Sequence, residues 1–175
     1  TLTDVTGCPG ETTGIIEVTA AGGAGGYQYA IDNGSWQGPG TFNNLPAGDH
    51  IVSISDANGC RQDSTVALNE PAVLALIDTI VTDLSCPGTN DGSIEVIMAG
   101  GTTPYSYTLN PGAINNATGV FNNLPTGSYT VEVQDANNCG PVIIDPVIIT
   151  EPAPMVLDSL ITEEITCAGD NDAEI

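Results

Sequence analysis

The side chains in this 175-residue chain that could do chemistry are few, and they recur at fixed places. Five cysteines, Cys8, Cys60, Cys86, Cys139 and Cys167, could pair as cystines. Acidic and amide side chains gather in short Gly- and Asn-rich segments: Asp56 with Asn58, Asn90 with Asp91, Asp135 with Asn137, and Asp170 with Asp172, while Glu70 and Glu151 each precede a proline. Oxygens of this kind are what Ca²⁺ takes, about six to eight of them at roughly 2.4 Å, so calcium is the one cofactor these residues suggest. The competing reading is turn chemistry, in which Asp and Asn side chains bond their own backbone. Asp63-Ser64-Thr65, Asp78-Thr79-Ile80 and Asp158-Ser159-Leu160 set a hydroxyl directly after an aspartate, which makes Ser64, Thr79 and Ser159 candidates for O-glycosylation.

No catalytic residue is assigned. The single histidine, His50, stands where the second unit has a corner tyrosine, which favours a structural over a catalytic or metal-binding role, and the cysteines lack a neighbouring cation to lower a thiol pKa. The glycine run Gly22-Gly23-Ala24-Gly25-Gly26 lacks the lysine and following helix of a phosphate cradle and reads as a flexible loop. Repeated turn acids offer no cleft in which a carboxyl could be tuned for glycoside hydrolysis. Trp36, Tyr27 and Tyr105 could form an aromatic platform for a carbohydrate, provided that two or more of the rings stand exposed and coplanar.

Composition narrows the partners. With 22 acidic residues, one basic residue (Arg61) and a formal charge of −21, the surface cannot neutralise phosphates, which excludes nucleic acid and anionic membrane. No stretch supplies the roughly 18 apolar residues of a spanning helix. Hydrophobic residues make up 41% of the chain and come in patterned blocks, which argues against disorder. Low charge density, absent lysine and five cysteines fit an extracellular, oxidising setting.

The elements that position these residues repeat. Cys8-Pro9-Gly10 returns 78 residues later as Cys86-Pro87-Gly88, and Ile16-Glu17-Val18 returns as Ile94-Glu95-Val96. Tyr27-Gln28-Tyr29 matches Tyr105-Ser106-Tyr107, Phe42-Asn43-Asn44-Leu45-Pro46 matches Phe121-Asn122-Asn123-Leu124-Pro125, and Asp56-Ala57-Asn58-Gly59-Cys60 matches Asp135-Ala136-Asn137-Asn138-Cys139. The expected domains are a first repeat over 1–71, a second over 72–152 and the start of a third over 153–175, a slice of a longer array.

Within each unit apolar residues alternate with polar ones, as in half-buried strands, and Gly, Pro and Asn clusters break the pattern every 8 to 12 residues or so. The second unit is read as strand A at 74–84, B at 93–99, C at 104–109, C′ at 113–117, E at 119–124, F at 128–134 and G at 142–150. Seven short antiparallel strands indicate an all-β fold of tandem immunoglobulin- or fibronectin-like β-sandwich repeats stacked end to end. Its expected core in the first unit is Ile16, Val18, Tyr27, Tyr29, Leu45, Val52 and Ile54. The run Leu124 to Tyr129 looks like the turn into strand F, where a tyrosine hydroxyl bonds back to the corner backbone, and His50 takes that place in the first unit.

Taken together, Cys-Pro-Gly-x-x-Asp-Gly-Ser-Ile-Glu-Val, Gly-Gly-x-x-Pro-Tyr-x-Tyr, Phe-x-x-Leu-Pro-x-Gly-x-Tyr-x-Val-x-Val-x-Asp-Ala-Asn-x-Cys and the closing Glu-Pro resemble the SprB repeat of gliding Bacteroidetes. The resemblance implies a long cell-surface adhesin or filament, exported by the type IX system and used for attachment or gliding motility. Its expected partners are neighbouring repeats of the same chain, like chains in a filament, and a surface polysaccharide or other extracellular ligand. An array of carbohydrate-binding modules is the rival reading.

Two cystine patterns compete. Cys8 with Cys60 and Cys86 with Cys139 would each close a loop of 52 or 53 residues inside one unit, contributing roughly 4 kcal/mol by chain entropy. If strands A to G alternate in direction, however, the A–B and F–G loops of one unit lie about 35 Å apart, and Cys8 instead meets Cys139 of the next unit. The outcome turns on whether C′ is a strand.

Overall fold

The computed structural model describes residues 1–160. Cys167, Asp170 and Asp172 lie outside them. The described residues form thirteen strands and no helix, and so contain no helix able to cross a membrane.

In the second unit β7 (Ala75–Thr82), β8 (Gly92–Ala99) and β11 (Val120–Leu124) make one sheet in the order β11-β8-β7. β9 (Ser106–Asn110), β10 (Ile114–Asn116), β12 (Gly127–Gln134) and β13 (Val142–Ile149) make the other, in the order β10-β9-β12-β13. These are the expected strands A-B-E and C′-C-F-G, and every pairing is antiparallel. Alternation buries one face of each sheet: Ile94 and Val96 from β8 meet Tyr107 and Leu109 from β9 and Val131 and Val133 from β12 in one core.

The first unit repeats the plan. β1 (Leu2–Thr3), β2 (Gly14–Glu17) and β4 (Thr41–Leu45) form one sheet, and β3 (Gln28–Ile31), β5 (Gly48–Ser55) and β6 (Arg61–Leu68) the other. C′ shrinks to a single antiparallel bridge from Tyr29 to Gln37, yet the chain still reverses there. Its core is Ile16, Tyr29, Phe42, Val52 and Leu68, with Val18, Tyr27, Leu45 and Ile54 only partly buried around it. Phe42 and Leu68 thus join the expected core.

Two motifs acquire local causes. In Phe-Asn-Asn-Leu the second Asn, Asn44 or Asn123, sits at φ 57, a left-handed conformation Asn tolerates, and the ladder shifts register there in both units. Gly92 opens β8 where a Cβ would lie 2.9 Å from both the Leu124 carbonyl and Ile149, so only glycine lets the strands close. Gly14 faces Leu45 and Leu68 in the same way.

Candidate functional site

Candidate chemistry gathers at the joint between the units, because the alternating strands carry the A–B loop to the pole where the chain leaves a unit and the F–G loop to the opposite pole. Asp135, buried just after β12, organises the F–G loop of the second unit. Its Oδ1 accepts the Asn137 and Cys139 backbone N–H groups at 3.0 and 2.8 Å, and its Oδ2 accepts the Thr102 N–H at 2.9 Å. Burial pushes the Asp135 carboxyl up, but these three N–H donors outweigh it and hold the group below the ordinary carboxylate range. Asp56 does the same in the first unit, accepting the N–H groups of Ala24, Cys60 and Asn58, and it too lies below the ordinary range.

So held, Cys139 reaches the first unit. It is bonded to Cys8 with S–S 2.08 Å and Cα–Cα 5.5 Å across a sequence separation of 131, while Cys60 and Cys86 are exposed and free. The pairing between units is therefore the one formed, and the pairing within each unit is not. Beside the cystine the Asn137 side-chain amide donates to the Gly7 carbonyl at 2.9 Å and to Thr102 Oγ1 at 3.0 Å. A cleft of about 380 Å³ opens alongside, lined by Pro9, Val73, Leu74 and Val142 as well as both cysteines.

The remaining acids serve backbone donors in the same way. Glu70 accepts the Gly10 N–H at 2.6 Å and Glu151 the Gly88 N–H at 2.8 Å, so the Glu of each Glu-Pro pair grips the Cys-Pro-Gly loop of its own unit. Asp91 takes the Ser85 and Thr89 hydroxyls, each at 2.5 Å, and these bonds, the Ser85 one foremost, lower its pKa to about 2. Asn58 enters through its backbone N–H, and Asn90 is exposed. The geometry at Asp56, Asp91 and Asp135 is turn chemistry, and the described residues contain no group of three or more His, Cys, Asp or Glu placed to share a metal ion.

Two aspartates escaped the reading of the sequence. Asp4 and Asp83 each follow strand A and accept the N–H of the residue after strand G, Asn69 at 2.9 Å and Thr150 at 2.7 Å. Their matching places in the repeat were the signal available.

His50 stands at the corner as expected. Tyr129 Oη donates to the Pro125 carbonyl at 2.8 Å, and the His50 Nε2 faces the Pro46 carbonyl at 3.0 Å. Only the first unit adds Asp32, whose Oδ2 lies 2.7 Å from His50 Nδ1 and whose Oδ1 accepts the Ile51 N–H at 2.8 Å. Both ring nitrogens therefore face acceptors, an arrangement that suits imidazolium; the Asp32 carboxylate first, then the Pro46 carbonyl, raises the His50 pKa.

Of the hydroxyl candidates, Ser64 and Ser159 are exposed, whereas Thr79 Oγ1 is buried without a hydrogen-bond partner. Trp36 is exposed, with the Arg61 guanidinium over its ring at 5.7 Å. Tyr27 and Tyr105 are half-buried, and their hydroxyls bond the Gly22 and Gly100 carbonyls. The exposed pair of rings that a carbohydrate platform requires is not formed by these three.

The family model described as SprB repeat matches residues 1–35 and 79–114, which span strands A to C of both units. Two stretches of this chain, under half of its length, are thus similar to the SprB repeat. The SprB match falls on the Cys-Pro-Gly loops, so Cys8 and Cys86 lie inside it, while Cys60 and Cys139 lie outside. No curated protein matches the chain. Among solved structures, the C-terminal 282-residue fragment of intimin, in complex with the intimin-binding domain of the translocated intimin receptor, is similar over 86% of this chain at 12% identity and TM-score 0.39. This chain covers 64% of that one, less than two thirds of its length.

Proposed function

We propose that this chain is a structural, non-enzymatic segment of a long bacterial cell-surface adhesin or extracellular filament, a spacer stiffened at its joints. The observation that carries the reading is the joint itself, where the Cys8–Cys139 cystine and the Asn137 to Gly7 bond tie one unit's trailing pole to the next unit's leading pole. A covalent link beside a hydrogen bond removes most of the hinge freedom that a joint between β-sandwiches would otherwise have. The SprB match supports placement on a cell surface, where oxidising conditions preserve cystines and the spacing serves adhesion or gliding. A charge of −21 keeps neighbouring chains apart at low salt and lets them approach when cations screen it.

Small-angle scattering before and after reduction tests this. The oxidised chain is expected to scatter as one stiff elongated particle, and the reduced chain as two bodies with a broader distribution of separations. Profiles that are equally flexible in both states would sink the spacer reading.

A further inference from the structure

The cystine at the joint does not build the loops that carry it, because each half has a cystine-free counterpart in the same molecule. On the F–G side Asp135 holds the Cys139 loop through the N–H groups of Cys139, Asn137 and Thr102, at 2.8, 3.0 and 2.9 Å. Asp56 holds the loop of the free, exposed Cys60 through those of Cys60, Asn58 and Ala24, at 2.9, 2.9 and 3.0 Å. The backbone turns agree as well: the Asn138 N–H meets the Asp135 carbonyl at 3.0 Å, and the Gly59 N–H meets the Asp56 carbonyl at 2.9 Å. On the A–B side Glu70 takes the Gly10 N–H and Glu151 the Gly88 N–H, while the Cys8 and Cys86 carbonyls accept the N–H groups of Glu11 and Thr89. Cys86, like Cys60, is a free thiol. Carboxylates, with or without a sulfur–sulfur bond, therefore set both loops.

Opening that bond leaves the two poles tethered. Each unit buries its own core, and the chain passes from β6, ending at Leu68, to β7, starting at Ala75. Within that connection the Ala72 carbonyl accepts the Gly101 N–H at 2.7 Å, and the Asn137 amide still reaches the Gly7 carbonyl. The two sulfurs so released keep a high effective concentration for each other. A way in exists too: the cleft of about 380 Å³ runs beside the cystine, where Cys8 is half-buried and Cys139 only 8% exposed.

We infer that the Cys8–Cys139 cystine is a reversible redox latch on the joint, opened by a small thiol, RSH, that enters along this cleft and attacks at Cys8. RS⁻ bonds to the Cys8 sulfur and the sulfur–sulfur bond breaks, Cys139 leaving as a thiolate that takes up the proton lost by RSH. A second RS⁻ attacks the R-bearing sulfur of the mixed disulfide, giving RSSR and the Cys8 thiolate, which is protonated in turn. The cystine is reduced to two cysteines while two RSH are oxidised to RSSR, and excess RSSR drives the same steps backward. What opens is the hinge and not the loops, so both thiols stay poised to re-form the same bond. The inference rests on the spacer reading only for its mechanical consequence, a joint that loosens on reduction.

The test takes the full native chain, with 2-mercaptoethanol as RSH and its disulfide as RSSR. Cys8 and Cys139 should both accept N-ethylmaleimide without denaturant, and of these two sulfurs the one trapped as a mixed disulfide by early acid quenching should be Cys8. Amide exchange at Cys139, Asn137 and Gly10 should change by less than about twofold on reduction. Exchanging the thiol for the disulfide should restore Cys8–Cys139 as the main cystine, ahead of bonds to Cys60, Cys86 or Cys167. In Asp135→Ala the reduced Cys139 amide should exchange at least about tenfold faster, because its holder is gone. A cystine that resists reduction until the units unfold, loop amides that exchange about tenfold faster in the reduced unmodified chain, an adduct on Cys139, or re-oxidation to scrambled pairs would overturn the inference. These readouts are chemical and do not depend on scattering, so failure of the latch and failure of the spacer are told apart.

Discussion

The two units share one plan and differ in how completely they close it. Ile94, Leu109, Val131 and Val133 are fully buried in the second unit, while their counterparts Ile16, Ile31, Val52 and Ile54 include two that are only partly covered, Ile31 and Ile54. The reason lies in the sheet edges. A true C′ strand of three residues edges the second core, where the first has a single bridge. Similar sequences therefore yield different burial, because the core of a small sandwich is sealed by its edge strands as much as by its central ones.

Four experiments would break or sharpen this comparison. The largest effect should come from cutting the staple between the units. Cys139→Ser frees a loop spanning 131 residues, which chain entropy values at about 4 to 5 kcal/mol, and denaturant unfolding should then separate into two transitions, the first unit melting first. A single coincident transition would mean the joint is not what couples them. Next, Leu109→Ala in the sealed core should cost about 3 kcal/mol, and Ile31→Ala in the looser one about half that; equal losses by chemical denaturation would erase the difference in packing.

Third, Asp135→Ala strands three N–H groups at the joint and should destabilise the second unit by about 2 kcal/mol, whereas Asp56→Ala, at the exposed pole, should do less. Amide exchange at Cys139 and Cys60 would report each loop separately.

The smallest effect concerns pH. The folded first unit holds the His50 proton above pH 6.5, where an unfolded histidine loses it, so the stabilisation is complete below about 6.5 and disappears as the pH rises through the folded value. Asp32 runs the other way: burial pushes its carboxyl up, the bonds to His50 and the Ile51 N–H more than offset that, and its lowered pKa contributes above 3.8 and loses that contribution as the pH falls through the folded value. The first unit should thus be most stable between about pH 4 and 6.5 and soften on the alkaline side, by under about 1 kcal/mol because Asp32 is half exposed. The second unit, cornered by Tyr129 with a raised pKa, should not change over that range. His50→Tyr should remove the alkaline softening, and melting curves at pH 6 and 8.5 that move in parallel for both proteins would refute the assignment.

Much of the fold was readable because its signals are local. Alternation in Ile94-Glu95-Val96 and Tyr129-Thr130-Val131 follows from the two-residue period of a strand, and Leu-Pro-x-Gly-x-Tyr announces a corner through turn chemistry. The joint was only half readable. The positions of Cys8 and Cys139 in their loops followed from strand order, but choosing their partner required knowing that the chain reverses between Ile31 and Thr41, where the first unit has only one bridge. The acids were found as clusters, yet whether an oxygen faces a cation or an N–H depends on loop conformation; Asp56 and Asp135 point inward at the backbone. Asp32 gave no signal as a partner of His50, since the two meet only across the sheet formed by β3 and β5.

The order of strands, the repeat and the corner role shared by His50 and Tyr129 were determined by the sequence alone, since each depends on residues a few positions apart. Which cysteines pair, how tightly each core closes and which carboxylate meets the histidine were decided by tertiary structure. Those contacts join groups separated by 18 to 131 positions, and only the folded direction of every intervening strand brings them within bonding distance.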